Sequence, residues 1–145
     1  MKISFEENPT VTETEISIVC KQADDKMLRL LAMLRVFDKK VTGSKNGEIF
    51  VLDAAKILYI DTVDKKTFFY TDTDVYETPL KLYMLEERLA GTDFLRASKS
   101  AVVNFAQIKS LRPDFGGRLE ITMNNGEKLL VSRQYAAPFK EKLSL

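Results

Sequence analysis

The chain contains no histidine and a single cysteine, Cys20. Without histidine it has no Ser-His or Cys-His pair and no His-ligated zinc site of its own, which removes much ordinary hydrolase chemistry. Carboxylate-only catalysis survives this exclusion, but no residue pattern points to it. A lone cysteine excludes an intramolecular disulfide and fits a reducing compartment. Cys20 ends the apolar run Ile16-Ser17-Ile18-Val19-Cys20, so a buried core thiol is expected there rather than a nucleophile. Glycine and proline are scarce, at 6 and 4 of 145 residues, which excludes a disordered or collagen-like chain. No apolar run approaches the roughly 18–20 residues that span a bilayer. Lys2 is soon followed by Glu6 and Glu7, not by the apolar core of a signal peptide. A cytoplasmic protein is expected.

What is present suits a globular fold. The chain is 45% hydrophobic and 30% charged, enough to build a core, and its length fits one domain or a domain of ~100 residues with an extension. The net charge is only +1, but it is unevenly spread. Residues 1–40 balance at zero, 41–93 carry −4 and 94–145 carry +5. A basic excess confined to the last third suggests a surface that faces a polyanion. A solvated basic surface without a partner is the plainer alternative.

Two short strands are expected early, at Lys2–Phe5 and Glu15–Lys21, the second from its alternation. Asp24 and Asp25 then open a helix, where acidic residues favour the positive N-terminus. Met27, Leu30, Leu31, Leu34 and Phe37 form its apolar stripe. Some forty residues are too few to bury that stripe alone, so it must pack on the following domain or on a second copy. Thr42-Gly43-Ser44-Lys45-Asn46-Gly47 reads as the boundary, dividing an N-terminal β-β-α extension (1–43) from a domain at 44–145.

Beyond the boundary the strands come short and close: Glu48–Leu52, Ile57–Val63, Thr67–Thr71 and Val75–Glu77, with Asp64-Lys65-Lys66 as a hairpin connection. Thr78-Pro79 is expected to cap and start a helix. Leu82, Leu85 and Leu89 form its buried stripe, and Gly91 stops it. Further strands are expected at Phe94–Arg96, Ala101–Asn104, Ile108–Arg112, Arg118–Met123 and Lys128–Val131. Asn124-Asn125-Gly126-Glu127 makes the last hairpin. Ser132 opens a final helix carrying Tyr135, Phe139 and Leu143. The fold class is therefore mostly β with a few helices (α+β), an antiparallel arrangement rather than βαβ units.

From residue 94 the sequence FLRASKSAVVNFAQIKSLRPDFGGRLEITMNNGEKLLVSRQYAAPFKEKL resembles the C-terminal half of a LytTR DNA-binding domain. Phe94, Arg96, Ser100, Asn104, Ile108, Arg112, Asn125, Gly126, Val131, Ser132, Arg133 and Tyr135 fall on that family's pattern in order and spacing. Upstream, Ile57-Leu58-Tyr59-Ile60-Asp61 and the Asp64–Thr67 hairpin fit its earlier strand pair, so the resemblance covers roughly residues 46–143. The family's usual His-Arg pair is Ser98-Lys99 here. Lysine lacks the planar fork that reads guanine bidentately, so the base read at this position, or the choice of base over phosphate, is expected to differ.

The resemblance implies an elongated β fold whose loops along one side enter DNA grooves. The DNA-facing loop residues it implies are Lys65, Lys66, Ser98, Lys99 and Arg133, and Arg96 beside them is a further DNA-binding candidate. Several have a plainer reading beside this one. Arg133 follows a strand and precedes a helix, which suits an anion site but equally a cap or ion pair. Lys65 and Lys66 at a hairpin tip are also ordinary solubility residues. Arg96 fits a structural salt bridge as well as a phosphate contact. Arg112 and Arg118 beside Asp114 suit a local ion pair or a phosphate. Asn104 is expected to satisfy backbone groups in a turn. Of Phe68, Phe69 and Tyr70, at least one ring is expected to be exposed, as core packing plus a partner contact rather than a stacking platform for single strands.

The resulting expectation is a sequence-specific double-stranded DNA-binding transcriptional regulator, not an enzyme, with no cofactor and no metal. No receiver domain precedes the DNA-binding part, so the extension is expected to carry regulation, with a possible homodimer on paired operator sites. The resemblance also implies a small membrane protein as a restraining partner. The rival expectation is a β-rich protein-interaction module that meets an acidic partner.

Overall fold

A computed structural model describes residues 1–143. After an extended stretch, helix α1 (Asp25–Phe37) leads into strands β1 (Lys40–Lys45), β2 (Glu48–Asp53), β3 (Tyr59–Val63), β4 (Lys66–Tyr70) and β5 (Val75–Thr78). Helix α2 (Leu82–Arg88) follows, then β6 (Phe94–Arg96), β7 (Ala101–Asn104), β8 (Ile108–Pro113), β9 (Leu119–Met123), β10 (Lys128–Val131) and helix α3 (Ala136–Lys142). Four single 3-10 turns fill connections. The strands form two sheets: seven in the order β2-β1-β5-β4-β3-β7-β6, and three in the order β10-β9-β8. Every pairing is antiparallel.

The period of two along a strand distributes side chains between two cores. In β3, Tyr59 enters one core and Ile60 the other; in β7, Val103 and Val102 divide the same way. One core joins Leu58, Tyr59 and Val103 to Ile121 and Met123 of the small sheet and to Phe139 of α3. The other places Leu82, Leu85 and Leu89 against Ile57, Ile60 and Phe69. The centre of the large sheet is thus covered on both faces.

Several sequence expectations need correction. Lys2–Phe5 and Glu15–Lys21 are not strands; the segment is extended and exposed, and Cys20 with it. A strand needs a neighbour for its backbone groups, and none of the described strands lies beside this segment. The run Thr42–Lys45 is part of β1, not a loop, so β1 passes through the expected boundary at residues 43/44. Gly43 belongs there because β5 comes close: a Cβ on Gly43 would lie 2.6 Å from Tyr76 Cβ. The turn is Asn46-Gly47, both with positive φ. Thr78 does not cap α2. It ends β5 opposite Thr67, and the helix begins only at Leu82.

Helix α1 starts as expected, with the Asp24 side chain accepting from Met27 N at 2.9 Å. Its docking face is different. Ala32 is buried and Val36 packs on the α2 core, whereas Phe37 is 80% exposed. Lys39 Nζ donates to Arg88 O (3.0 Å) and Arg35 Nη1 to Gly91 O (3.4 Å). Two cations therefore sit on the free carbonyls at the α2 C-terminus, where charge and hydrogen bonding both favour them. Met27, Leu31 and Leu34 line a shallow groove with Ile16, Ile18 and Cys20 of the preceding segment.

Candidate nucleic-acid interface

Three connections that the resemblance places on one side of the fold are joined by backbone hydrogen bonds. Thr62 N near the end of β3 donates to Ser100 O (2.9 Å), and Ser132 N after β10 donates to Ala97 O (2.9 Å). The loop at 97–100 therefore lies between the β3–β4 hairpin and the start of the terminal helical segment. Lys65, Lys66, Ser98, Lys99 and Arg133 all occur in these three pieces.

The β3–β4 turn is Asp64-Lys65, with φ of 52° and 67°, and Lys66 already opens β4. Two consecutive left-handed residues match the twist of a tight hairpin, and they do so here without glycine. Lys65 is exposed and makes no ion pair among the described residues. Lys66 Nζ lies 4.0 Å from Glu77 Oε1 across the pair β4–β5, a weak exposed contact.

Arg96 shapes the central loop. Its Nε donates to Ser98 O and its Nη2 to Lys99 O, both at 2.7 Å, while Nη1 donates to Glu86. Ser100 N donates to Ser98 Oγ at 3.2 Å, closing the turn. All three guanidinium nitrogens are thus engaged within the protein, and the side chain is only 23% exposed. Lys99 is left exposed at the loop tip with no ion pair among the described residues. Replacing Arg96 with alanine is expected to cost about 1–3 kcal/mol, because the charged hydrogen bonds go and Glu86 loses its partner. Amide hydrogen exchange at Ser98–Ser100 should quicken in that variant. Glu86→Gln, which leaves both loop carbonyls satisfied, should change exchange there much less.

Arg133 begins a 3-10 turn that runs into α3. Its aliphatic stem lies over Gly117, where a Cβ would come within 3.1 Å of Arg133 Cγ. Gly117 also has φ +81°, so both backbone and space at this position call for glycine. The Gly116-Gly117 pair was visible in the sequence only as a turn; its role as a seat for Arg133 carries no sequence signal. Arg133 is exposed and makes no ion pair among the described residues.

The basic excess of the last third separates into two sets. Arg96, Arg112, Arg118, Lys128 and Lys142 are in ion pairs, including Arg112–Glu120 (2.9 Å), Arg118–Asp114 (3.1 Å) and Lys142–Asp93 (2.6 Å). Arg112 and Arg118 therefore make the local ion pairs that were one of their two readings. Asn104 is buried, donating to Ile57 O (2.9 Å) and accepting from Ala106 N (3.2 Å), as expected for a residue that satisfies backbone groups. Phe69 is buried, Phe68 and Tyr70 are half-buried, and Tyr70 stacks on Tyr59 with centroids 4.3 Å apart. Tyr59 donates to Glu127 Oε1 at 2.8 Å; burial first and the carboxylate second push its hydroxyl pKa far up. These rings hold the scaffold. No group of acidic, cysteine or histidine side chains among the described residues is arranged to hold a metal.

The family model of the LytTr DNA-binding domain matches residues 47–144. The chain belongs to the LytTR family. Among LytTR relatives it is 32% identical over 106 residues to the sensory transduction protein LytT of Bacillus subtilis, covering 73% of this chain and 44% of that protein. It is 30% identical over 97 residues to LytT of Enterococcus faecalis, covering 67% and 40%. The chain thus spans about two fifths of the length of these proteins. An uncharacterized HTH-type transcriptional regulator of Staphylococcus aureus is 26% identical over 147 residues, covering 100% of this chain and 99% of that protein. That match includes residues 1–43. In solved structures, the LytTr DNA-binding domain of a Bacillus cereus response regulator superposes with a TM-score of 0.70 at 28% identity, over 74% of this chain and 99% of that one. The LytTR fold class expected from the sequence, mostly antiparallel β with helices, is the one observed. No helix among the described residues is long and apolar enough to cross a membrane.

Proposed function

We propose that this LytTR chain is a transcriptional regulator that recognises a specific sequence of duplex DNA through Lys65, Lys99 and Arg133. The observation that carries the reading is the pair of backbone hydrogen bonds, Thr62 to Ser100 and Ser132 to Ala97, that link three loops bearing Lys65, Lys99 and Arg133, none of which makes an ion pair among the described residues. Arg133 supplies the planar fork suited to bidentate reading of a base edge, and the lysines supply point charges. Lys66 and Ser98 add phosphate contacts beside them. Arg96 acts one step back, as a positioning residue that presents Lys99. The reading has no catalytic step, cofactor or metal, and it places the protein in the cytoplasm.

Residues 1–43 serve regulation in this account. They contribute to a homodimer on paired sites, where two linked contacts raise apparent affinity. They also offer the surface for a restraining partner, for which a small membrane protein is the candidate the LytTR resemblance implies.

Selection of binding sequences from random duplexes, followed by a salt titration, tests the reading. With roughly three phosphates neutralised per copy, the Kd for the selected duplex should rise about 130-fold between about 50 and about 300 mM salt. A selection that enriches no sequence, together with a flat salt response, would leave the acidic-protein module as the better account.

A further inference from the structure

Strand β2 is a free edge of the seven-stranded sheet. It is six residues long, and on one face it exposes Ile49 (78%) and Val51 (69%). An apolar, unprotected edge of this length is a template for another strand, and proteins ordinarily blunt it. Here none of the described strands covers it.

The same chain carries a strand without a sheet. Glu15–Lys21 alternates Ile16, Ile18 and Cys20 with Ser17, Val19 and Lys21, the pattern of a half-buried strand. Val19 is 96% exposed and Ile16 68% exposed. Residues 12–23 make no backbone hydrogen bond among the described residues. Ile16, Ile18 and Cys20 face Met27, Leu31 and Leu34 on the outer side of α1. The other side of α1 is docked on its own chain through Ala32, Val36, Arg35 and Lys39.

The two unpaired elements fit one another. In the antiparallel register that sets Lys21 opposite Glu48, Cys20 falls opposite Ile49, Ile18 opposite Val51 and Ile16 opposite Asp53, the last residue of β2. Directly opposed residues point to the same face. The apolar side of the segment therefore covers the exposed apolar side of β2, and Lys21 meets the opposite charge of Glu48 at one end of the ladder. A slip of one residue turns Ile18 and Cys20 to the wrong face. A slip of two in either direction removes the Lys21–Glu48 pair.

We propose that residues 15–21 of one copy add as an antiparallel strand to β2 of a second copy, and reciprocally. The inference deepens the two-copy part of the proposed function and rests on it. Exchange between copies satisfies two free sets of backbone groups at once, as in strand-addition complexes. It also lays the exposed flank of α1 over Ile49 and Val51 of the other copy. Reciprocity makes the contact isologous, with each strand pair formed twice about a two-fold axis.

Cys20 makes the test direct. Wild-type protein is mixed with the double variant Cys20→Ser, Ile49→Cys and gently oxidised. Opposed Cα atoms in an antiparallel pair lie about 4.5–5.5 Å apart, within disulfide reach. A disulfide-linked heterodimer is expected, while neither protein alone should cross-link. Glu48→Lys should raise the dimer dissociation constant roughly three- to tenfold, and adding Lys21→Glu should restore it. Sedimentation separates the possible failures. A dimer without the heterodimer cross-link overturns the strand exchange and leaves the two-copy reading standing. A monomer, with and without DNA, overturns both. A within-chain disulfide in the single variant Ile49→Cys would assign the pairing to one chain and overturn the exchange.

Discussion

Phe139→Ala should destabilise the protein by about 3–5 kcal/mol, the largest single effect expected in the chain. Phe139 is fully buried between α3 and the sheets, beside Leu58, Ile121 and Met123, and its ring centroid lies 6.2 Å from that of Phe105. Truncation leaves a cavity in the only attachment that α3 makes through a large, fully buried side chain. The urea midpoint should fall with the slope unchanged if the transition stays cooperative. DNA binding should weaken with it, because Arg133 lies between Ser132, tied to Ala97, and the helix that Phe139 anchors. Phe115 is the built-in control. It is 86% exposed, and Phe115→Ala should stay within about 0.5 kcal/mol of wild type.

Arg133→Ala should leave stability unchanged and cost about 1–3 kcal/mol of binding to the selected duplex, or roughly five- to 150-fold in Kd. On random DNA the loss should be smaller, since only the charge counts there. Lys65→Ala should weaken both duplexes more evenly. Arg133→Lys separates charge from fork: it should retain binding to random DNA and lose preference. Lys99→Arg, which introduces the missing fork, should shift the preferred sequence if Lys99 meets a base. Equal losses for Arg133→Ala on both duplexes would move Arg133 to the phosphate contacts.

The strands of the C-terminal half were legible because their turns are written in residues with few other uses. Asn125-Gly126 and Gly91 take the positive φ or tight turn that ends each element, and the alternation between them has a core to face on at least one side. The N-terminal half was misread where one residue type serves two ends. Gly43 looks like a linker, yet it is a strand residue whose missing Cβ admits Tyr76. Thr78 looks like a cap, yet it pairs with Thr67. Glu15–Lys21 has the alternation of a strand but no strand neighbour among the described residues, and pattern alone does not supply a neighbour.

The candidate interface was legible in its members and not in its assembly. Lys65, Lys99 and Arg133 follow from the LytTR resemblance, but the bonds that gather their loops run between main-chain atoms and leave no mark on the sequence. Arg96 shows the opposite problem. Its identity suits a phosphate contact or a salt bridge equally, and only the engagement of all three nitrogens separates the two. The charge excess of the last third is not a guide to free cations either, since five of its nine cations are paired.

Whether the three loops meet DNA as one surface is read from amide chemical shifts followed during titration with the selected duplex. Concerted changes are expected at 63–66, 97–100 and 132–134, with little change at the Asn46-Gly47 turn between β1 and β2. Changes confined to one of the three loops, or centred on the acidic stretch of residues 41–93 away from Lys65 and Lys66, would contradict a single surface.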